Sequence, residues 1–169
     1  SVTMGSQPAA ATSTSGRCIV VFGTKGGVGK TVVAVNLAVC LVTKTRKPVC
    51  LVDLDTMATG DLAKMLGLNP SHAVVDIATQ LKRPSQHDEL LIEGLAVVHD
   101  SGVHVIQALT HPRQSPLLEP KLLHLLFQTL KARYEYVIVD AGKGLTDPLI
   151  AAFDESNLIL LVATPDIVA

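Results

Sequence analysis

Nine consecutive residues, Gly23-Thr24-Lys25-Gly26-Gly27-Val28-Gly29-Lys30-Thr31, carry the densest chemistry in the chain. Glycines at 26, 27 and 29 let backbone N–H groups turn inward around an anion, because a residue without a Cβ takes the necessary dihedrals freely. An apolar run precedes the loop and a helical pattern follows it, so a helix N-terminus offers its partial positive charge to the same anion. Lys30 has the reach to set an ammonium on the outer phosphates of a nucleotide, and the Thr31 hydroxyl suits Mg²⁺. The run departs by one residue from the G-x4-G-K-[ST] pattern, since Thr24 stands where the first Gly belongs. A glycine-rich turn with a chance Lys is the bland alternative; the strand before and the helix after argue against it.

Two acidic strand ends supply the complement. Val52-Asp53-Leu54-Asp55 closes one apolar run and Val137-Ile138-Val139-Asp140 closes another. A carboxylate at the C-terminal end of a buried strand is how a Mg²⁺ ligand or a water-orienting group reaches a ligand crevice. Each signal is weak alone, because Asp is common where strands turn into loops, and gains weight from the phosphate loop. Asp140 is followed by Ala141-Gly142-Lys143-Gly144. There Lys143 reads as a solvated loop charge.

The elements that position these residues follow from hydrophobic patterning. Continuous apolar runs predict strands at 18–23, 49–53, 103–107, 136–140 and 158–163, each buried on both faces. Helical patterns cover 29–43, 59–66, 73–80, 88–95, 121–133 and 147–153. The alternation predicts an α/β fold: a doubly wound, mainly parallel sheet with helices on both faces. Residues 1–17, rich in Ser, Thr, Ala and Gly, read as a flexible linker, with the folded domain at 18–169.

Composition narrows the function classes. The chain has 169 residues, 48% hydrophobic and 17% charged, which rules out a disordered chain. Net charge −1 and 3% aromatics give no global support for nucleic-acid binding and no stacking platform for single strands. Lys44, Arg46 and Lys47 cluster where a helix C-terminus also accounts for them. Cys18, Cys40 and Cys50 all lie in apolar runs and are expected as buried core thiols. The six His show no metal-ligand spacing, and no stretch approaches the ~20 apolar residues of a membrane span. The expected location is the cytoplasm.

Lys25-Gly26-Gly27-Val28-Gly29-Lys30-Thr31 resembles the deviant Walker A box of the ParA/MinD ATPases, in which the position of Thr24 varies. The resemblance implies an ATP- and Mg²⁺-dependent, slow ATPase of P-loop fold that forms a homodimer around two nucleotides. It makes Lys25 the signature Lys that reaches the partner's phosphates. Asp140 becomes the Walker B carboxylate, Asp55 the switch I carboxylate acting on the attacking water, and Gly144 the Gly approaching the γ-phosphate. Asp53 is structural or an outer Mg²⁺ partner. Gly142 stands where the family usually has Pro, which implies a more flexible loop.

Residues 18–166 further resemble the CpaE (TadZ) pilus-assembly branch, through Asp53-Leu54-Asp55, Gly60-Asp61-Leu62-Ala63, Leu66-Gly67-Leu68-Asn69-Pro70 and Ala163-Thr164-Pro165-Asp166. That branch implies a positioning or assembly switch for a pilus or secretion machine, recruited to the inner membrane or a cell pole. A receiver-like domain often precedes the ATPase there. Full ParA/MinD domains are longer, so the chain is expected to be the N-terminal part of one, without the adenine pocket or any membrane helix. The alternatives are a partition or division-site positioning ATPase, and a catalytically weak scaffold. A tyrosine kinase with the same box would need a Tyr-rich tail, and only Tyr134 and Tyr136 are present.

Overall fold

The computed structural model describes residues 15–81 and 94–165. Strands β1 Arg17–Phe22, β2 Val49–Asp53, β3 Val97–Val98, β4 His104–Gln107, β5 Tyr136–Asp140 and β6 Leu158–Leu161 form one sheet. Their order is β3-β4-β2-β5-β1-β6, parallel throughout except where β3 runs antiparallel to β4. The described helices are α1 Lys30–Thr45, α2 Asp61–Met65, α3 Val74–Leu81, α4 Pro120–Arg133 and α5 Asp147–Asp154, with a 3-10 helix at Pro112–Leu117.

Successive strand residues point to opposite faces, and each face has its own core. Cys18, Val20, Val52 and Val139 pack with Leu123, Phe127 and Leu149 of α4 and α5. Val21, Leu51, Val105 and Ile138 pack instead with Ala34 and Ala38 of α1 and Leu62 of α2. The doubly wound sheet read from the sequence is the observed fold.

Local chemistry sets the helix ends. α1 starts after Gly29 in the left-handed region, φ 92°, and stops at Arg46, also left-handed at φ 57°, whose N–H closes on Val42 O at 3.0 Å. Lys44 lies in its last turn, so the helix terminus accounts for the basic cluster there. α4 opens with Pro120 in its first turn and closes with Lys131 and Arg133.

Several expectations change. β6 is not buried on both faces: it is the last strand in the sheet order, and its Leu158, Ile159 and Leu161 are exposed. Residues 16 and 17 belong to the fold rather than to a linker: Gly16 N–H donates to Lys131 O at 2.7 Å, and Arg17 opens β1. Residues 1–14 lie outside the described residues. Cys18 and Cys50 are buried, but Cys40 is exposed, because α1 turns Ala34, Val35 and Ala38 to the sheet and Cys40 away from it. The two-residue β3 and the 3-10 helix at Pro112–Leu117 have no counterpart among the predicted elements. Of the predicted helix at 88–95, residues 88–93 lie outside the described residues. Among the described residues no helix is long and apolar enough to cross a membrane.

Candidate functional site

The site gathers at the C-terminal ends of three mutually adjacent strands. β5 lies between β2 and β1, and its last residue, Asp140, is in register with Asp53 on one side and Val21 on the other. Backbone bonds continue past the strand ends: Leu54 N–H donates to Asp140 O at 2.9 Å, and Ala141 N–H to Val21 O at 3.1 Å. The loops after β1, β2 and β5 are thereby held side by side, as crevices at the ends of parallel strands require.

The loop after β1 is shaped as a phosphate cradle. Gly27 and Gly29 adopt φ 74° and 92°, conformations that L side chains rarely take. At Gly23 a Cβ would fall 2.5 Å from Val162 O, so only Gly lets β1 pass β6 into the loop. Lys30 is 7% exposed, and its ammonium donates to Lys25 O at 3.1 Å. The two lysines singled out in the sequence are therefore joined, the side chain of one holding the backbone of the other.

Asp140 is 2% exposed, and its Oδ1 is buried with no hydrogen-bond partner. Burial raises the carboxyl above its ordinary range. A hydrogen bond with the Thr31 side chain opposes that, Asp55 adds to it, and the Lys30 charge and the Gly142 backbone oppose it. An orphaned buried carboxylate oxygen beside a Thr hydroxyl at a phosphate loop fits a hard cation, and Mg²⁺ is commonly held by one or two carboxylates together with substrate phosphates. Among the described residues no group of three or more His, Cys, Asp and Glu is arranged to hold a metal without such help.

Asp53 and Asp55 organise the loop after β2. Asp53 is 4% exposed; its Oδ1 accepts Asp55 N–H at 3.1 Å and its Oδ2 accepts Gly60 N–H at 3.3 Å. Burial pushes its carboxyl up to about 7, against the pull of the Asp55 backbone bond and with a further push from Asp140 and Asp55. Both its oxygens serve the loop, which makes the structural half of its expected role visible. Asp55 Oδ1 accepts Met57 N–H at 2.8 Å and Ala58 N–H at 3.0 Å, so the same carboxylate expected to act on water also caps its own turn. Sequence reasoning did not find these caps; an Asp two or three residues before exposed backbone donors is the signal that could have shown them.

The loop after β5 packs closely on the loop after β2. Gly142 has φ 64°, and a Cβ there would lie 2.6 Å from Asp55 Cγ and 2.9 Å from its Cα. The residue is buried and tightly enclosed by Asp55. Pro, locked near φ −65°, could not take this conformation. Gly144 also has φ 76°, and nothing lies within 4 Å of the position of its missing Cβ.

Strand ends, phosphate loop and acidic pair together define a P-loop nucleotide-binding protein. A family model of the ParA group, described as NUBPL iron-transfer P-loop NTPase, matches residues 15–169. The chain belongs to the ParA family of P-loop NTPases. The septum site-determining protein MinD of Bacillus subtilis is 27% identical over 154 residues, covering 91% of this chain and 55% of the relative. The antiactivator FleN of Pseudomonas aeruginosa is 30% identical over 148 residues, 85% of this chain and 49% of its own length. Among solved structures, a ParA family ATPase from Chlorobium tepidum superposes with TM-score 0.78 at 22% identity, over 91% of this chain and 62% of that one. MinD from Pyrococcus horikoshii, in complex with Mg-ADP, gives TM-score 0.72 at 23% identity over 89% and 58%. The chain spans about half the length of the curated relatives it matches.

Proposed function

We propose that this chain carries the phosphate- and magnesium-binding half of an ATP-dependent positioning switch of ParA/MinD type, a slow ATPase that dimerises on ATP. The observation that carries the reading is the orphaned Oδ1 of Asp140, buried beside the cradle that Gly27, Gly29 and Lys30 form. The backbone amides of 26–31 and the Lys30 ammonium would bind phosphate oxygens, with Gly144 N–H as a further donor. Thr31 and Asp140 would hold Mg²⁺, with Asp53 behind them as an outer partner. The bound ion would neutralise phosphate charge during transfer. Asp55 would orient the water, and Lys25 would reach the partner subunit's nucleotide.

Division-site or partition positioning is the reading favoured here over pilus or secretion assembly, because several relatives are septum site-determining proteins. The CpaE-like segments keep the pilus reading as the narrower alternative. The iron transfer in the family description draws no support from Cys18 and Cys50. Both thiols are buried, and burial pushes Cys18 up to about 12 and Cys50 higher still, far from the thiolate a metal needs.

The test is nucleotide-linked stability of the full-length protein. Mg-ATP or Mg-ADP at ~100 times its Kd should add about 2.7 kcal/mol. Lys30→Ala should remove most of it, and Asp140→Ala should remove its dependence on Mg²⁺. A melting temperature indifferent to saturating nucleotide would overturn the reading.

A further inference from the structure

The loop after β5 brings a third lysine to the phosphate cradle. A Cβ on Gly26 would lie 3.4 Å from both Cδ and Nζ of Lys143 and 3.5 Å from its Cε. The Lys143 side chain, though exposed, therefore runs beside Gly26 of the phosphate loop. On one side of it Gly142, left-handed at φ 64°, lies close against Asp55, and on the other Gly144 is also left-handed. Among the described residues no hydrogen bond or ion pair engages the Lys143 ammonium, so proximity to a carboxylate does not explain its placement.

We propose that Lys143 is a phosphate-contacting residue, a cation that the loop after β5 lays across Gly26 so that it meets the phosphate chain of a bound nucleoside triphosphate. The inference rests on the reading of residues 23–31 as a nucleotide cradle. Lys30 stands at the start of α1, whereas Lys143 reaches the opposite, Gly26 side of the loop from the segment that also carries Gly144. The proposal puts its charge, with that of Lys30, on the outer phosphates, where a triphosphate has the added negative group. An ammonium at that place favours triphosphate over diphosphate, because a charge-assisted contact to phosphate exists only when that group is present.

The experiment measures Kd for Mg-ADP and for a slowly hydrolysed Mg-ATP analogue on the full-length protein, its Lys143→Ala and its Lys143→Arg variants. Lys143→Ala should weaken the analogue at least tenfold and ADP less than threefold, while Lys143→Arg stays within threefold of wild type for both. The melting temperature without nucleotide should not move, since the side chain is exposed. An analogue affinity unchanged in Lys143→Ala, or lowered equally with that for ADP, overturns the proposal and leaves the cradle standing. A wild-type protein that binds neither nucleotide overturns the cradle and this proposal with it.

Discussion

Gly142 and Asp55 touch so closely that a methyl group on the glycine would sit 2.6 Å from the Asp55 carboxyl carbon. The contact brings the loop after β5 directly against the loop after β2. The two loops that would sense a nucleotide meet here, and the residue that departs from the usual family pattern is the one at their contact.

Gly142→Ala combines a left-handed backbone penalty with a clash against Asp55 backbone. It should lower stability by about 2–4 kcal/mol. Chemical denaturation checks this, and a loss below ~1 kcal/mol would mean that the loops part easily.

Asp55 has two separable duties. Its Oδ1 caps Met57 and Ala58, and its charge is the candidate for acting on water. Asp55→Asn keeps an acceptor and should stay within about 0.5 kcal/mol of the parent while slowing hydrolysis. Asp55→Ala should lose ~1–2 kcal/mol as well, through the freed backbone donors. Phosphate release assays beside thermal melts separate the two; parent-rate hydrolysis by Asp55→Asn would remove Asp55 from the chemistry.

Lys25→Ala leaves the carbonyl that Lys30 grips, since that bond uses the backbone. Monomer binding of ADP should survive, and ATP-driven dimerisation should weaken by roughly two to four powers of ten, or ~3–6 kcal/mol for two lost contacts in a symmetric dimer. Sedimentation with ADP and with a slowly hydrolysed analogue tests it. Equal dimerisation of the two proteins would show that Lys25 does not act in trans.

Much of the site was legible because apolar runs ending in Asp are simple signals. The predicted strands 49–53 and 136–140 coincide with β2 and β5, and the glycine-rich loop falls between β1 and α1 as read. What escaped depends on contacts between segments remote in sequence or on very short elements. β3 has two residues, too few for any periodicity to show. The 3-10 helix is capped by His111 with Gln114 reaching back, an unusual pairing, and has Pro116 inside it. The exposure of Cys40 is hidden by the uniformly apolar run around it, in which only the spacing of Ala34 and Ala38 marks the inner face of α1. The closeness of Gly142 to Asp55 and of Lys143 to Gly26 arises only when the three loops meet.

Far from the site, Glu155 ties α5 to α4. It accepts from Lys131 Nζ at 2.6 Å and pairs with His124 Nδ1. Burial alone would raise its carboxyl, but the hydrogen bonds from Lys131 and His124 hold it below the usual range. A depressed folded-state value means stability that is present above the ordinary carboxylate range and lost as pH falls through the folded value. Glu155→Gln should thus cost about 1–3 kcal/mol at pH 7, with the difference from the parent closing in acid. Denaturation midpoints from neutral to strongly acidic pH check it; a gap that stays constant would assign the cost to packing.

The three strands that carry the site are also the ones hydrogen-bonded to each other: β2 to β5, and β5 to β1. Their backbone amides should be among the slowest in the molecule to exchange hydrogen with solvent, since opening any one of them breaks ladders on both of its sides. A frame of that kind resists deformation, because bending it strains several ladders at once. A message leaving this site is then expected to travel as rearrangement of the loops at its rim, with the register of Asp53 and Asp140 unchanged.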